Sequence, residues 1–288
     1  MTSAKSRAFL KFLKRRNTIQ MFATFLTNMH IPNFFKGVLY NGKIKQVCVP
    51  GLNCYSCPAA TGACPVGSFQ AVVGSSKYNF SYYISGILIF FGVMIGRLIC
   101  GFMCPFGWYQ DLLHKIPTKK FSTKNLRFLT YTKFIILAVA VILLPIIMTN
   151  KAGIALPYFC KYICPQGILE GGIPLSIVDK NIRATLSIFV YRPFCKWICP
   201  LGAFYALFNK ISIFNYNVDK NKCVSCGKCA KVCKMDVDIT KNTGDLECIR
   251  CGECITACPT KAISTYLAMK KKSEAKNQKV ANKNLQKA

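Results

Sequence analysis

The sequence predicts an α-helical membrane protein of about four spans, some short or broken, ending in a small cysteine-rich α+β domain. Three observations carry this prediction. Hydrophobic residues make up 52% of the chain and its mean hydropathy is +0.29, yet 39 Lys and Arg face 10 Asp and Glu, a net charge of +29. Such charge on an apolar chain points to basic loops beside an anionic membrane surface rather than to nucleic acid. Apolar runs recur at lengths near the roughly 20 residues that cross a hydrocarbon core. Lastly, 18 of the 288 residues are Cys, too many for an ordinary globular enzyme, and they fall in regular groups.

Residues 1–17 form a basic arm carrying Lys5, Arg7, Lys11, Lys14, Arg15 and Arg16. The Arg15-Arg16 pair is faintly similar to a twin-arginine signal, but no small-residue cleavage site follows a compact apolar run. Residues 18–214 read as the membrane domain. Its first span candidate, Thr18–Tyr40, contains Asn28, His30, Pro32, Asn33 and Lys36. A Gly/Cys/Pro-rich loop follows at 41–77. The second candidate, Tyr78–Ile99, has the uncharged run YYISGILIFFGVMI and closes at Arg97. After the basic stretch 111–133, Tyr131–Thr149 is the clearest span, with Pro145 near its far end. The fourth, Ala184–Phe208, is interrupted by Arg192, Pro193 and Lys196 and reads as short, broken or re-entrant. Residues 215–265 form a polar domain with eight Cys. Residues 266–288 are Lys-rich and read as a disordered tail. Its Lys270, Lys271, Lys272, Lys276 and Lys279 suit a solubilising role or the docking of an acidic partner or anionic lipid. The excess of basic residues places the arm, the 111–133 loop and the carboxy-terminal domain on the cytoplasmic side of a multi-pass inner-membrane protein, with 41–77 and 150–183 outside.

The decisive motif lies in 215–265. Cys223, Cys226, Cys229 and Cys233 read C-x2-C-x2-C-x3-C, and Cys248, Cys251, Cys254 and Cys258, followed by Pro259, repeat it. This is the two-cluster bacterial ferredoxin pattern, in which the fourth Cys of each run ligates the other cluster. Cys223, Cys226, Cys229 and Cys258 are therefore expected to hold one 4Fe–4S cluster, and Cys248, Cys251, Cys254 and Cys233 a second. Paired zinc sites would instead show two CxxC pairs around a longer loop. Lys234 stands after Cys233 where proline is usual.

Three further pairs share the form C-x3-C-P-x-G: CGFMCPFG (Cys100, Cys104), CKYICPQG (Cys160, Cys164) and CKWICPLG (Cys195, Cys199). On a helix, positions four apart lie on one face, so each pair offers half of a cluster site. Small buried cysteines are common in helices, but three identical frames argue for ligation. Cys100, Cys104, Cys195 and Cys199 fall at the inner ends of the proposed spans and are expected to share one cluster. Cys160 and Cys164 fall towards the outer face with Cys48, Cys54, Cys57 and Cys64. Those six offer thiols for a further cluster with two to spare, although a disulfide among the loop cysteines is an alternative.

The segments RLICGFMCPFGWYQD (97–111) and YRPFCKWICPLGA (191–203), followed directly by the two-cluster domain, resemble the NapH-type membrane ferredoxins and the NosR-like iron–sulfur membrane proteins. The resemblance covers roughly 78–265. It implies passage of electrons between a membrane donor, such as the quinone pool, or a soluble carrier and a partner oxidoreductase. Some relatives suggest instead a membrane redox sensor or regulator. The third C-x3-C-P pair and the 48–64 cysteines depart from the family pattern.

Catalysis by the chain itself finds little footing. His30 and His114 are the two histidines, and each reads as structural or solvated rather than as a haem ligand. Gly-rich nucleotide fingerprints are absent. Five of the ten acids, Asp236, Asp238, Asp245, Glu247 and Glu253, sit in the cysteine-rich domain and read as solvated surface or a docking patch. Trp108 and Tyr109 are placed to anchor a helix end at the membrane interface. The expectation is an electron-transfer subunit with two 4Fe–4S clusters, one or two further iron–sulfur clusters, lipid and a redox partner, and no nucleic acid.

Overall fold

The computed structural model describes residues 16–36, 38–74, 82–148, 156–165 and 187–265. Most of the basic arm, the Lys-rich tail and Gly167 lie outside the described residues.

The first apolar stretch folds as two pieces, α1 (Arg16–Thr27) and α2 (Ile31–Lys36). Between them Asn28 turns its Nδ2 back to the carbonyl of Thr24 at 3.0 Å, a side-chain bond that competes with helix continuation. Helix α3 (Pro65–Gly74) starts directly after Cys64. Helix α4 (Tyr82–Ile95) has 14 residues, about 21 Å at 1.5 Å per residue. It stops at Gly96, whose φ of +54° suits glycine. A Cβ there would also lie 2.9 Å from Asn209 Oδ1. Two short helices follow, α5 (Leu98–Phe102) and α6 (Pro105–His114).

Helix α7 (Lys124–Ile147) is, among the described residues, the one helix long and apolar enough to cross a membrane, with a mean hydropathy of 2.2. Only 22% of its most apolar stretch is buried, so most of that stretch faces outward. Its Leu137–Leu143 section is wound as a π-helix. Beyond it come α8 (Phe159–Ile163), α9 (Pro193–Trp197) and α10 (Pro200–Leu207).

This corrects the expectation of four spans. The first candidate breaks at Asn28, the described helix of the second has 14 residues and ends at Gly96, and the described part of the fourth is cut twice. Arg192 there adopts a left-handed backbone (φ 47°) before Pro193, and Cys199 is extended before Pro200. Apolar composition survives these interruptions, whereas a continuous hydrogen-bonded helix does not.

The carboxy-terminal domain is the expected α+β unit. Strands β1 (Tyr216–Val218) and β2 (Ile263–Thr265) pair antiparallel, Tyr216 opposite Thr265, and enclose α11 (Lys228–Val232) and α12 (Glu253–Ala257). Its own core is small: Tyr216, Cys229, Ile239 and Ile263. A larger core, with Ile99, Val141, Phe159, Leu201 and Tyr205, runs through the rest and takes in Met235, Val237 and Ile249 from this domain. Helix α7 packs along α9, α10 and α3, and α1 lies across α5 and α6.

Candidate metal centres

One local turn recurs at every C-x3-C run. The first Cys lies in a short helix: Cys100 in α5, Cys160 in α8, Cys195 in α9, Cys229 in α11 and Cys254 in α12. The second, at Cys104, Cys164, Cys199, Cys233 and Cys258, is extended, with φ between −80° and −67° and ψ between 107° and 116°. The paired thiols therefore do not share one face of a continuous helix, as the spacing alone suggested. Proline after four of the five second cysteines drives the preceding residue out of the helical region. Lys234 takes that place in the fifth without changing the turn. Backbone N–H groups of Gly202, Val237 and Ala262 then donate to the sulfurs of Cys199, Cys233 and Cys258 at 3.3–3.4 Å.

These turns gather the thiols into groups. Cys223, Cys226, Cys229 and Cys258 line one pocket. Cys254 lies within electrostatic reach of Cys248, Cys251 and Cys233, and also of Cys229 from the other expected group. Cys100, Cys104, Cys195 and Cys199 are all buried, and Cys199 feels the other three. Cys160 feels Cys64, Cys164 and Cys54. Cys48 sits beside Cys64, while Cys57 packs with Cys54, Ala59 and Ala60 in a separate small cluster.

The groups adjoin one another. A Cβ on Gly101, next to Cys100, would lie 2.7 Å from the carbonyl oxygen of Ile249, next to Cys248. On the other side, a Cβ on Gly51 would lie 3.1 Å from Cys104 Cα, so the 48–64 loop seats directly on the Cys100/Cys104 turn. Tyr205, fully buried, reaches from its own helix to donate to the carbonyl of Pro50 at 3.1 Å, with Cys100, Cys104, Cys48 and Cys64 around it.

A family model described as a 4Fe–4S binding domain matches residues 79–124, 133–173 and 184–217, and one described as a 4Fe–4S dicluster domain matches 208–273. The uncharacterized protein MJ0750 of Methanocaldococcus jannaschii is 34% identical over 192 residues, 65% of this chain and 79% of that protein. The chain belongs to this 4Fe–4S family. A second protein of that organism, the uncharacterized protein MJ0749, is 31% identical over 202 residues, 62% of this chain and 68% of its own length. No solved structure matches the chain.

As a 4Fe–4S protein the chain binds several clusters, and its side chains suit them. Burial pushes the Cys104 and Cys248 thiols up to about 12. It also raises Cys195, though Arg192 and Arg97 pull the other way. Such thiols stay protonated until a metal takes them, so loading releases protons. Among the described residues, no three Cys, His, Asp or Glu side chains gather closely enough for a single metal ion.

Buried cations surround the thiols, and the sequence reading missed them. Arg97 and Arg192 are both fully buried, each three residues before a C-x3-C-P pair. Arg192 Nη1 donates to the carbonyl of Cys100 at 2.5 Å, and Arg97 Nη2 to that of Cys195 at 3.2 Å. The shared frame R-x2-C-x3-C-P was the available signal. Arg250, between Cys248 and Cys251, is also buried and donates to the carbonyls of Ile95 and Asn209.

The acids correct another expectation, since the inner ones are not a solvated patch. Glu247 is buried between Arg97, at 3.0 Å, and Lys133 of α7. Burial alone would raise its carboxyl, but those two cations hold it below the usual range. Asp236 pairs with Lys196 at 2.9 Å and Asp245 with Arg127 at 2.7 Å, so three carboxylates tie the dicluster domain to α7 and α9. Asp111 accepts from both Arg192 and Arg16 at 2.5 Å. Desolvation opposes its charge, yet the two guanidiniums bring it down to about 2. The histidines sit apart, His30 stacked on Tyr40 and His114 edge-on to Tyr191.

Proposed function

We propose that the chain is a membrane-associated relay for single electrons, working between a membrane or soluble donor and a partner oxidoreductase. The observation that carries this reading is the unbroken adjacency of the thiol groups, from the dicluster domain through the Cys100/Cys195 turns to the 48–64 loop. Cys223, Cys226, Cys229 and Cys258 would hold one cluster, and Cys233, Cys248, Cys251 and Cys254 the next. Cys100, Cys104, Cys195 and Cys199 would hold a third, and Cys160 and Cys164 a further one with thiols of the 48–64 loop. Each bound cluster supplies one-electron uptake and release.

The chain's own residues shape how that chemistry runs. Ile99, Leu201 and Tyr205 keep water from the thiols of the third group. Arg97, Arg192 and Arg250 place positive charge where thiolate charge collects, which tunes reduction potential through charge and hydrogen bonding. The side chains in contact with the thiols are amides, cations, apolar groups and the hydroxyls of Ser68 and Thr260, a set suited to holding clusters for electron transfer.

Helix α7 supports membrane association. The basic residues at its Lys124 end, where the dicluster domain docks, support placing that domain on the cytoplasmic side of the inner membrane. The R-x2-C-x3-C-P turns support membership of the NapH- and NosR-like branch, with the quinone pool or a redox protein as partner.

Anaerobic purification from membranes, with iron, sulfide and zinc counted per chain, tests the reading. Cys104→Ser is expected to lose one cluster while the dicluster EPR signals stay. Zinc in place of iron, or unchanged iron in Cys104→Ser, would refute it.

A further inference from the structure

A longer repeat lies beneath the four-residue spacing. Residues 64–70 read CPVGSFQ and residues 104–110 read CPFGWYQ, a shared frame of Cys-Pro-x-Gly-x-aromatic-Gln. In both, a helix begins at the proline. Both glutamines are fully buried, at 0% exposure. Each donates its amide to the first sulfur of a C-x3-C pair from a distant part of the chain: Gln110 Nε2 to Cys195 Sγ, and Gln70 Nε2 to Cys160 Sγ, both at 3.2 Å. A separate contact orients Gln70, because its Oε1 accepts the N–H of Phe159 at 3.2 Å and so leaves the NH₂ towards sulfur.

The correspondence holds position by position. Cys64 matches Cys104, Gln70 matches Gln110, Cys160 matches Cys195 and Cys164 matches Cys199. It fails once, since the counterpart of Cys100 four residues before Cys64 is Ala60, also fully buried. Cys57 belongs to the same small cluster as Ala60, and Cys54 packs against it. Moreover, Cys54 lies within electrostatic reach of Cys160, as Cys100 does of Cys195.

We propose that Cys54, Cys64, Cys160 and Cys164 hold a fourth 4Fe–4S cluster in a copy of the Cys100/Cys104/Cys195/Cys199 frame, with Gln70 and Gln110 as matched amide donors to one sulfur of each centre. The inference rests on the relay reading, because it takes the Cys100 frame to be a cluster site. Cys48 and Cys57 fall outside the ligand set. An N–H aimed at a thiolate sulfur favours the more negative, reduced core, so each glutamine raises the potential of its own centre alone.

The test uses full-length protein purified anaerobically, with iron and sulfide counted and an EPR-monitored titration against dithionite. Cys54→Ala and Cys160→Ala should each lose about four irons, one cubane, per chain. Cys48→Ala and Cys57→Ala should keep the wild-type count. Gln70→Leu should keep its iron yet lower the potential of one signal, and Gln110→Leu that of a different signal. Full iron in Cys54→Ala, or loss in Cys48→Ala or Cys57→Ala, overturns the ligand set. Unmoved potentials in both glutamine variants overturn the donor role. If Cys54→Ala does not accumulate, the iron counts of Cys48→Ala and Cys57→Ala still decide the ligand set, and Gln70→Leu, which keeps every thiol, still decides the donor role. Failure of the relay reading shows separately, as retained iron in Cys104→Ser.

Discussion

Arg192 donates from Nη1 to the carbonyl oxygen of Cys100 at 2.5 Å, across 92 positions of chain. Arg97 returns the contact to Cys195. The two C-x3-C-P turns are thus clasped to each other through their arginines, and each clasp also carries a buried positive charge. Replacing Arg192 with Leu would leave Asp111 with Arg16 and the Tyr191 hydroxyl. Breaking one side of a buried pair costs about 3–5 kcal/mol, so the denaturation midpoint should fall. The Cys100-centre signal should also move to lower potential. Arg192→Lys should recover part of the potential and little of the stability, because an ammonium lacks the forked donor geometry.

Asp111 makes the reverse case. Its carboxyl sits at about 2, against an ordinary 3.8, beside Arg192 and Arg16. A carboxyl lowered by folding stabilises the fold above its unfolded value, and loses that contribution as pH falls through its folded one. The shift corresponds to about 2 kcal/mol. The stability gap between wild type and Asp111→Asn should therefore be full above pH 4 and shrink between pH 4 and pH 2, as followed by urea unfolding at stepped pH.

Glu247 joins the dicluster domain to α7 through Arg97 and Lys133. In Glu247→Gln both cations lose their carboxylate, while every thiol is untouched. Iron content should hold and the dicluster signals should persist, but the magnetic interaction between the Cys248 and Cys100 groups should weaken in EPR. Unaltered line shapes would show that docking does not depend on this pair.

Iron removal should unfold residues 215–265 while the larger core survives. The domain's own core is four buried residues and a two-stranded sheet, too little for a unit of this size without a metal staple. Chelation under reducing conditions should abolish the Tyr216–Thr265 strand pairing in amide exchange, with α7 still protected.

The dicluster domain could be read from spacing alone, because four cysteines in eleven positions leave few other chemistries. The recurrence of the turn was also visible in the repeated C-x3-C-P frame, whereas the grouping of Cys100 and Cys104 with Cys195 and Cys199 was drawn from a four-span topology that the structure overturns. Span count was not, because hydropathy registers side chains while Gly96, Arg192 and Pro193 act on the backbone. Glu247 looked like a solvated acid because its two partners lie 114 and 150 positions away. Gln110 gave no warning alone, and its meaning emerges only beside Gln70, once both amides are seen on sulfur.

Helix α7 meets the dicluster domain near Lys124 and reaches α3, just after Cys64, at its other end. Its 24 residues begin in a 3₁₀ stretch kinked at Leu126 and pass through the π-wound section Leu137–Leu143. It therefore acts as a ruler laid beside the wire: the gaps between successive stations follow one continuous helical rod instead of loops. An insertion of a single residue in that rod would twist the two halves of the circuit out of register while sparing every cysteine.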